Sequence, residues 1–162
     1  MIELYTERTF RQTPGVHFAD IGIPGSNGTD IVEHSGPSIS PPNNRFGLPQ
    51  WYVHRYQTDF NRVLRGHRLF ELFNPGWDHS HWFVMLDSKS GALRIPPGCY
   101  HRSYSGNDGS LLINQAIRVE GYDENTEFIP QTIIRPFVVK PCYNGCDAAT
   151  AQMFIQAGEF ST

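Results

Sequence analysis

Short apolar and β-branched runs follow one another along the chain, many alternating with polar residues and each bounded by Gly, Pro, Asn or Asp. They cover Phe18 to Ile23, Asp30 to His34, Trp51 to Gln57, Asn61 to Phe73, Trp82 to Leu86, Ala92 to Ile95, Cys99 to Tyr104, Ser110 to Val119 and Thr132 to Val139. Strands at such regular spacing predict an all-β sandwich or barrel. Helical spacing shows at one terminal place, where Asp147 caps Ala148 to Ala157 and Gly158 is the expected stop. Met153 and Phe154 are expected against the outside of the barrel. Residues Gly36 to Gln50 hold Pro37, Pro41, Pro42 and Pro49 without periodicity and read as a loop, long enough for a lid or a subunit contact. No repeat and no boundary interrupts the pattern, so residues 1–162 read as one domain.

Composition narrows the class. Aromatic residues make up 13% and charged residues 18%, the balance of a turn-rich β protein with a packed interior. A net charge of -3 gives no reason to expect nucleic acid or an anionic membrane surface as partner. No apolar run approaches the ~20 residues that span a bilayer. Met1-Ile2-Glu3-Leu4-Tyr5 has neither the basic nor the apolar region of a secretory signal, so a cytoplasmic protein is expected. Cys99, Cys142 and Cys146 match neither a redox pair nor a zinc site and are expected to be reduced thiols.

The segment with the sharpest local chemistry is Ile95-Pro96-Pro97-Gly98-Cys99-Tyr100-His101. Pro97 fixes φ, Gly98 supplies an unusual backbone conformation, and His101 is the first inward position on the strand that follows. A histidine placed there meets whatever enters the mouth of an antiparallel barrel.

These residues resemble the second motif of the cupin superfamily, which reads here from Gly91 through Pro96-Pro97-Gly98 to His101, with Ser105 where that motif has Asn. The first cupin motif is traceable but altered: Gly66 matches, Asp59 stands at its Glu, His54 at its second His and Tyr52 at its first. The likeness covers roughly Trp51 to Glu120. Gln57-Thr58-Asp59-Phe60-Asn61-Arg62-Val63-Leu64-Arg65-Gly66, then Leu69-Phe70-Glu71-Leu72-Phe73 and later Glu120-Gly121-Tyr122, look most like the dTDP-sugar epimerase and ketoisomerase (RmlC-like) branch. Departures from that branch are specific. Asp59 stands where the epimerases carry a lysine, and Asn114, between Ile113 and Gln115, stands near their catalytic tyrosine. The resemblance implies a single-domain cupin jelly-roll barrel with a short C-terminal helix, which binds a small molecule inside and forms a homodimer. Tyr5, Phe10 and the early strands would close the barrel or pair with the second subunit.

Strand alternation then puts Tyr52 with His54, Gln57 with Asp59 and Asn61, and His101 with Cys99 and Ser103. If these inward faces meet, His54, Asp59 and His101 converge on one cavity, and Tyr52, Gln57 and Asn61 line it as substrate-binding groups. Two chemistries are open. Without a cofactor, the histidines and Asp59 transfer a proton α to the carbonyl of a sugar or nucleotide-sugar, as an epimerase or isomerase does. Alternatively, the same three residues hold Fe, Ni, Mn or Zn as a two-histidine, one-carboxylate set in an oxygenase or isomerase. A cupin that binds a ligand without catalysis is a third reading. Thr58-Asp59 is also good turn chemistry. Arg55, Arg62, Arg65, Arg68 and Arg118 are candidates for a nucleotide-sugar's phosphates, with Arg62 facing outward by alternation. His79 and His81 are expected in an exposed loop, and His67 outward. Trp51, Phe60, Phe70, Phe73, Trp82 and Phe83 are expected mostly in the core.

Overall fold

The computed structural model describes residues 7–21, 27–133 and 140–159. Along them run β1 (Glu7–Thr13), β2 (Val16–Ile21), β3 (Thr29–His34), β4 (Ser38–Ser40), β5 (Gln50–Val53), β6 (Gln57–Gly66), β7 (Arg68–Phe73), β8 (His81–Leu86), β9 (Ala92–Ile95), β10 (Tyr100–Ser105), β11 (Ser110–Gln115) and β12 (Ile117–Arg118). Then follow α1 (Glu124–Glu127), β13 (Gln131–Thr132), β14 (Cys142–Asn144) and α2 (Ala148–Glu159).

Two sheets result. One has the order β1-β2-β3-β11-β6-β12, with β9 also paired to β6; the other has the order β13-β5-β10-β7-β8-β14, with β4 also paired to β10. The pairings are antiparallel except that β14 runs parallel to β8. Val16, Phe18, Val32, Val63 and Leu112 of the first sheet meet Phe70, Leu72, Val84 and Leu86 of the second in one apolar interior. On the outer face of the second sheet, Ile39, Leu69, Phe83 and Tyr104 form another cluster with Ala151 of α2. β7 is therefore covered on both faces, and its residues run without the polar alternation of a half-exposed strand. The all-β, jelly-roll expectation holds.

Several elements differ from the sequence reading. The Trp51 to Gln57 run divides, because the chain turns between β5 and β6. The Asn61 to Phe73 run also divides at Gly66 and His67. Gly66 has φ 75°, and a Cβ there would collide with the Gly109 carbonyl, so the chain turns where only glycine fits. Ser38–Ser40, inside the expected loop, pairs with Ser103–Ser105 as a buried strand. The first expected strand starts earlier, at Val16, and its positions 22–23 lie outside the described residues, as do Tyr5 and 134–139 of the last run.

Asp147 caps α2 as expected, accepting from Thr150 N at 2.8 Å. Gly158, however, lies within the helix, buried against Ile39, so it permits close packing rather than stopping the helix. Phe154 packs on the outer cluster, whereas Met153 is 69% exposed. Trp51, Phe70 and Phe83 are buried; Phe60, Phe73 and Trp82 are partly exposed.

Candidate metal centre and ligand cavity

The Pro96-Pro97-Gly98-Cys99 turn has the geometry expected of it. Cys99 N donates to Pro96 O at 3.3 Å and Gly98 takes φ 78°, a type II turn with Pro97 at its first corner. Gly98 N donates to the His54 carbonyl at 2.8 Å, which ties the turn to the end of β5. On β10, His101 then pairs directly with Tyr52 of β5. On β6 the inward positions are Gln57, Asp59, Asn61 and Val63, all buried.

Hydrogen bonding determines which atoms of this cluster carry protons. His54 Nδ1 lies 3.0 Å from Glu127 O, and His101 Nδ1 lies 3.2 Å from Cys99 O. A carbonyl only accepts, so both Nδ1 atoms donate. Burial pulls the His54 pKa down to about 4 and the His101 pKa below its ordinary value, although Asp59 opposes both shifts. Both rings are neutral at pH 7, so both Nε2 atoms present bare lone pairs.

Asp59 Oδ1 accepts from Gln57 Nε2 at 2.7 Å and from Asn114 Nδ2 at 2.8 Å. The far ends of those amides settle their orientation: Gln57 Oε1 accepts from Arg118 Nε at 2.8 Å and Asn114 Oδ1 from Phe60 N at 2.9 Å. Asp59 Oδ2 is left facing His54 Nε2 at 3.6 Å and His101 Nε2 at 3.7 Å. These separations are too long for hydrogen bonds. Ligands bonded at ~2.1 Å in tetrahedral array stand ~3.4 Å apart, so the three lone pairs suit a shared cation. One ligand atom from each of the three residues falls within 4.8 Å of the others.

The structure thus brings His54, Asp59 and His101 together. Tyr52 and Asn61 line the same cavity, of about 60 Å³, but Gln57 stands behind Asp59, held at both ends. The backbone carbonyls of Cys99 and Glu127, not Asp59, orient the imidazoles. Cys99 stays a thiol, because burial pushes its pKa up to about 12.

Four further residues build the site, three of them without mention in the sequence reading. Asn114 enters there only as a departure from the epimerase pattern, although its inward parity with Leu112 on β11 marks it. The Glu127 carboxylate accepts from Arg55 N at 2.8 Å and Tyr56 N at 3.3 Å, closing the turn that carries His54. Its helix, α1, starts on Asp123, whose side chain accepts from Asn125 N. Phe128 packs edge-on to His54. Arg11 of β1 reaches the cavity wall beside Tyr52 and Phe128.

Of the five arginines proposed for phosphates, Arg68 lines the cavity and the others do not. Arg55, Arg62 and Arg65 are exposed, and Arg65 pairs with Glu33 at 2.8 Å. Arg68 is fully buried on the cavity wall and donates to Ser110 Oγ at 2.7 Å. Arg118 holds Asp30 through both carboxylate oxygens, at 3.0 and 3.1 Å. His81 also corrects expectation. It is buried at the start of β8, with Nε2 2.9 Å from Glu71 Oε1, while His79 and His67 are exposed.

No sequence-family profile and no curated protein matches the chain. Solved structures do. A CENP-C cupin domain of Drosophila melanogaster superposes with TM-score 0.51 at 14% identity, covering 72% of each chain. The chain has a cupin fold. The capsular polysaccharide assembling protein CapF of Staphylococcus aureus superposes with TM-score 0.56 at 13% identity, over 80% of this chain and 35% of that one. The oxalate decarboxylase of Lactobacillus farciminis, in a formate complex, gives 0.55 at 10% identity, over 80% of this chain and 37% of that one. This cupin fold therefore spans about a third of those two longer chains. Among the described residues, no helix is long and apolar enough to cross a membrane.

Proposed function

We propose that this chain is a metal-dependent cupin that acts on a small molecule held inside the barrel, with His54, Asp59 and His101 as the ligands of one divalent cation. The observation that carries this reading is the convergence of three bare lone pairs, with both Nδ1 hydrogens and both Asp59 amide contacts directed elsewhere. Uncompensated, these buried acceptors repel one another; a cation satisfies all three at once. Two imidazoles and a carboxylate with open positions suit Fe(II), and Ni, Mn or Zn also accept such a set. The metal, when bound, supplies Lewis-acid polarisation of a coordinated oxygen, or oxygen chemistry if it is iron. The chain's own contribution is orientation: carbonyls fix the rings, amides fix the carboxylate, and Phe18, Phe70 and Phe128 form an apolar part of the cavity wall.

A second reading has its own support. Two neutral imidazoles with bare Nε2 atoms on one cavity are also suited to proton transfer at the carbonyl of a sugar. A cavity of about 60 Å³ has room for only a handful of waters, so a nucleotide would have to remain outside.

Elemental analysis of purified, untagged protein discriminates. Near-stoichiometric metal, lost in His101→Ala and in His54→Ala while circular dichroism stays that of a folded β protein, is the expected result. Wild-type protein that stays metal-free after loading overturns the metal reading. Exchange of α-hydrogens of a keto-deoxy sugar nucleotide in deuterated water would then support the second reading, and no exchange would leave a ligand-binding cupin.

A further inference from the structure

We infer that Arg11 is the anchor for a carboxylate, and that the cavity's ligand is a small carboxylate whose other end reaches toward His54, Asp59 and His101. The inference rests on the reading of this cavity as the functional site, and its test separates anion recognition from metal binding.

The placement of Arg11 begins with a β-bulge. In the β1–β2 ladder Thr9 faces Ala19 and Arg11 faces Phe18, so Phe10 is an extra residue that shifts the parity of the strand. The guanidinium of Arg11 stacks 3.7 Å from the Phe18 ring centre, with Tyr52 at 4.5 Å and Phe128 at 5.1 Å. Aromatic faces hold the plane of the group but leave its N–H edges to find acceptors.

Those edges are unequally filled. Nη1 makes a long contact of 3.4 Å to Phe128 O, whereas Nε and Nη2 are buried without a hydrogen bond. Nε and Nη2 form the side of the fork that grips both oxygens of a carboxylate. The chain uses that same pair elsewhere: Arg8 Nε and Nη2 hold Asp20 Oδ1 and Oδ2 at 2.9 and 2.6 Å. In Arg11 the equivalent pair lies on the cavity wall beside the Tyr52 hydroxyl and makes no well-formed hydrogen bond among the described residues. The Tyr52 hydroxyl, on the same wall between Arg11 and Ser40, makes no well-formed hydrogen bond among the described residues and is a third donor available to a ligand.

The charge balance points the same way. Arg68, also on the cavity wall, is fully buried, and its hydrogen bonds go only to Ser103 and Ser110 hydroxyls and to the Val32 and Ser110 carbonyls. Among the described residues its charge has no hydrogen-bonded carboxylate partner, yet most of its donors are occupied. Asp59 is thus one negative group against two arginines, before any cation binds. Asp30, also on the wall, is paired to Arg118. An anion is the missing charge, and the free fork of Arg11 makes a planar carboxylate its best fit. The volume of about 60 Å³ suits a small ligand.

The test is calorimetric titration of malonate, its neutral isostere malonamide and inorganic phosphate into metal-free and manganese-loaded protein, with metal content measured on the same samples. Malonate should bind wild type about tenfold or more tighter than malonamide or phosphate. Arg11→Gln should lose about tenfold or more of the malonate affinity in the metal-free protein while retaining as much metal as wild type. Arg11→Lys, which keeps the charge without the fork, should recover only part of it and serves alone if Arg11→Gln fails to fold. Malonate affinity in the folded variants within about threefold of wild type overturns the inference, as does phosphate binding as tightly as malonate or no malonate binding to wild type. Wild type that binds malonate through Arg11 but takes up none of manganese, iron, nickel or zinc contradicts the metal reading and leaves the anchor standing.

Discussion

Asp59 Oδ2 and His54 Nε2 face each other across 3.6 Å, and the imidazole hydrogen is on the far side of the ring. A carboxylate and an imidazole this close in a protein interior usually share a hydrogen. Here the imidazole hydrogen sits on Nδ1, claimed by Glu127 O, so the contact is a meeting of two acceptors. His101 repeats it at 3.7 Å with its own hydrogen held by Cys99 O. Such a meeting of acceptors on a cavity wall is suited to a cation, as proposed above, or to a donor that enters the cavity.

Glu127 and Asn114 support the cluster from behind, and their removal should be felt at the metal. Glu127→Ala leaves the Arg55 and Tyr56 backbone N–H groups without their acceptor and should cost about 1–3 kcal/mol of stability in denaturant unfolding. The same variant frees the turn that carries His54, so chelator competition should show metal affinity about 10–100-fold lower. Asn114→Ala should weaken metal binding over a similar range, because Asp59 Oδ1 loses one of its two donors. Unchanged affinity in both variants would mean that the ligands do not depend on these supports.

Acid should destabilise the metal-free protein through His34. Ser105 Oγ donates its hydrogen to Gly36 O at 2.6 Å, so His34 Nδ1, at 2.8 Å, donates to Ser105, and its Nε2 stays buried without a partner. Burial, reinforced by Arg68, holds the His34 pKa well below 6.5. The unfolded chain takes up a proton there near pH 6.5 and the folded one does not, so this stability is present above 6.5 and is lost as pH falls. Asp30 runs the other way: burial raises it from 3.8 to about 6, so its contribution weakens as pH rises through that range. Comparing wild type with His34→Gln cancels the Asp30 contribution. Between about pH 7 and pH 5 the wild type should lose about 2 kcal/mol more than the variant. Parallel curves would contradict the assignment.

Gly158→Ala should destabilise the protein although alanine is the better helix former by about 1 kcal/mol. A Cβ at 158 would stand 2.6 Å from Ile39 Cγ1 and 3.3 Å from Ser38 O, where α2 crosses β4. The expected loss in thermal unfolding is about 1–3 kcal/mol. Met153→Ala, on the exposed side of the same helix, should change stability by no more than about 0.5 kcal/mol. A stabilised Gly158→Ala would show that the helix sits farther from the barrel.

The residues most legible in the sequence are those governed by local rules. Pro97 and Gly98 dictate a type II turn, and strand parity on either side places His101, Asp59, Asn61 and Tyr52 inward; all four line the cavity. Gln57 shares that parity yet lies behind Asp59, because parity gives a face and not a depth. Arg11 was out of reach because the bulge at Phe10 resets the parity of β1. Glu127 was hidden for another reason: its carboxylate meets Arg55 and Tyr56 across 72 and 71 residues of chain, and only the folded barrel brings them together. His81 looked exposed because it follows Asn74-Pro75-Gly76-Trp77-Asp78, but its partner Glu71 lies on the neighbouring strand β7. The strand at Ser38–Ser40 was masked by the prolines on either side of it.

The most direct measurement is anomalous diffraction from crystals of metal-loaded protein, collected at the absorption edge of the metal that elemental analysis identifies. One peak about 2.0–2.2 Å from His54 Nε2, His101 Nε2 and Asp59 Oδ2 is the predicted result. No peak among these atoms at full loading, or metal found only at surface histidines such as His67 or His79, would contradict the central claim.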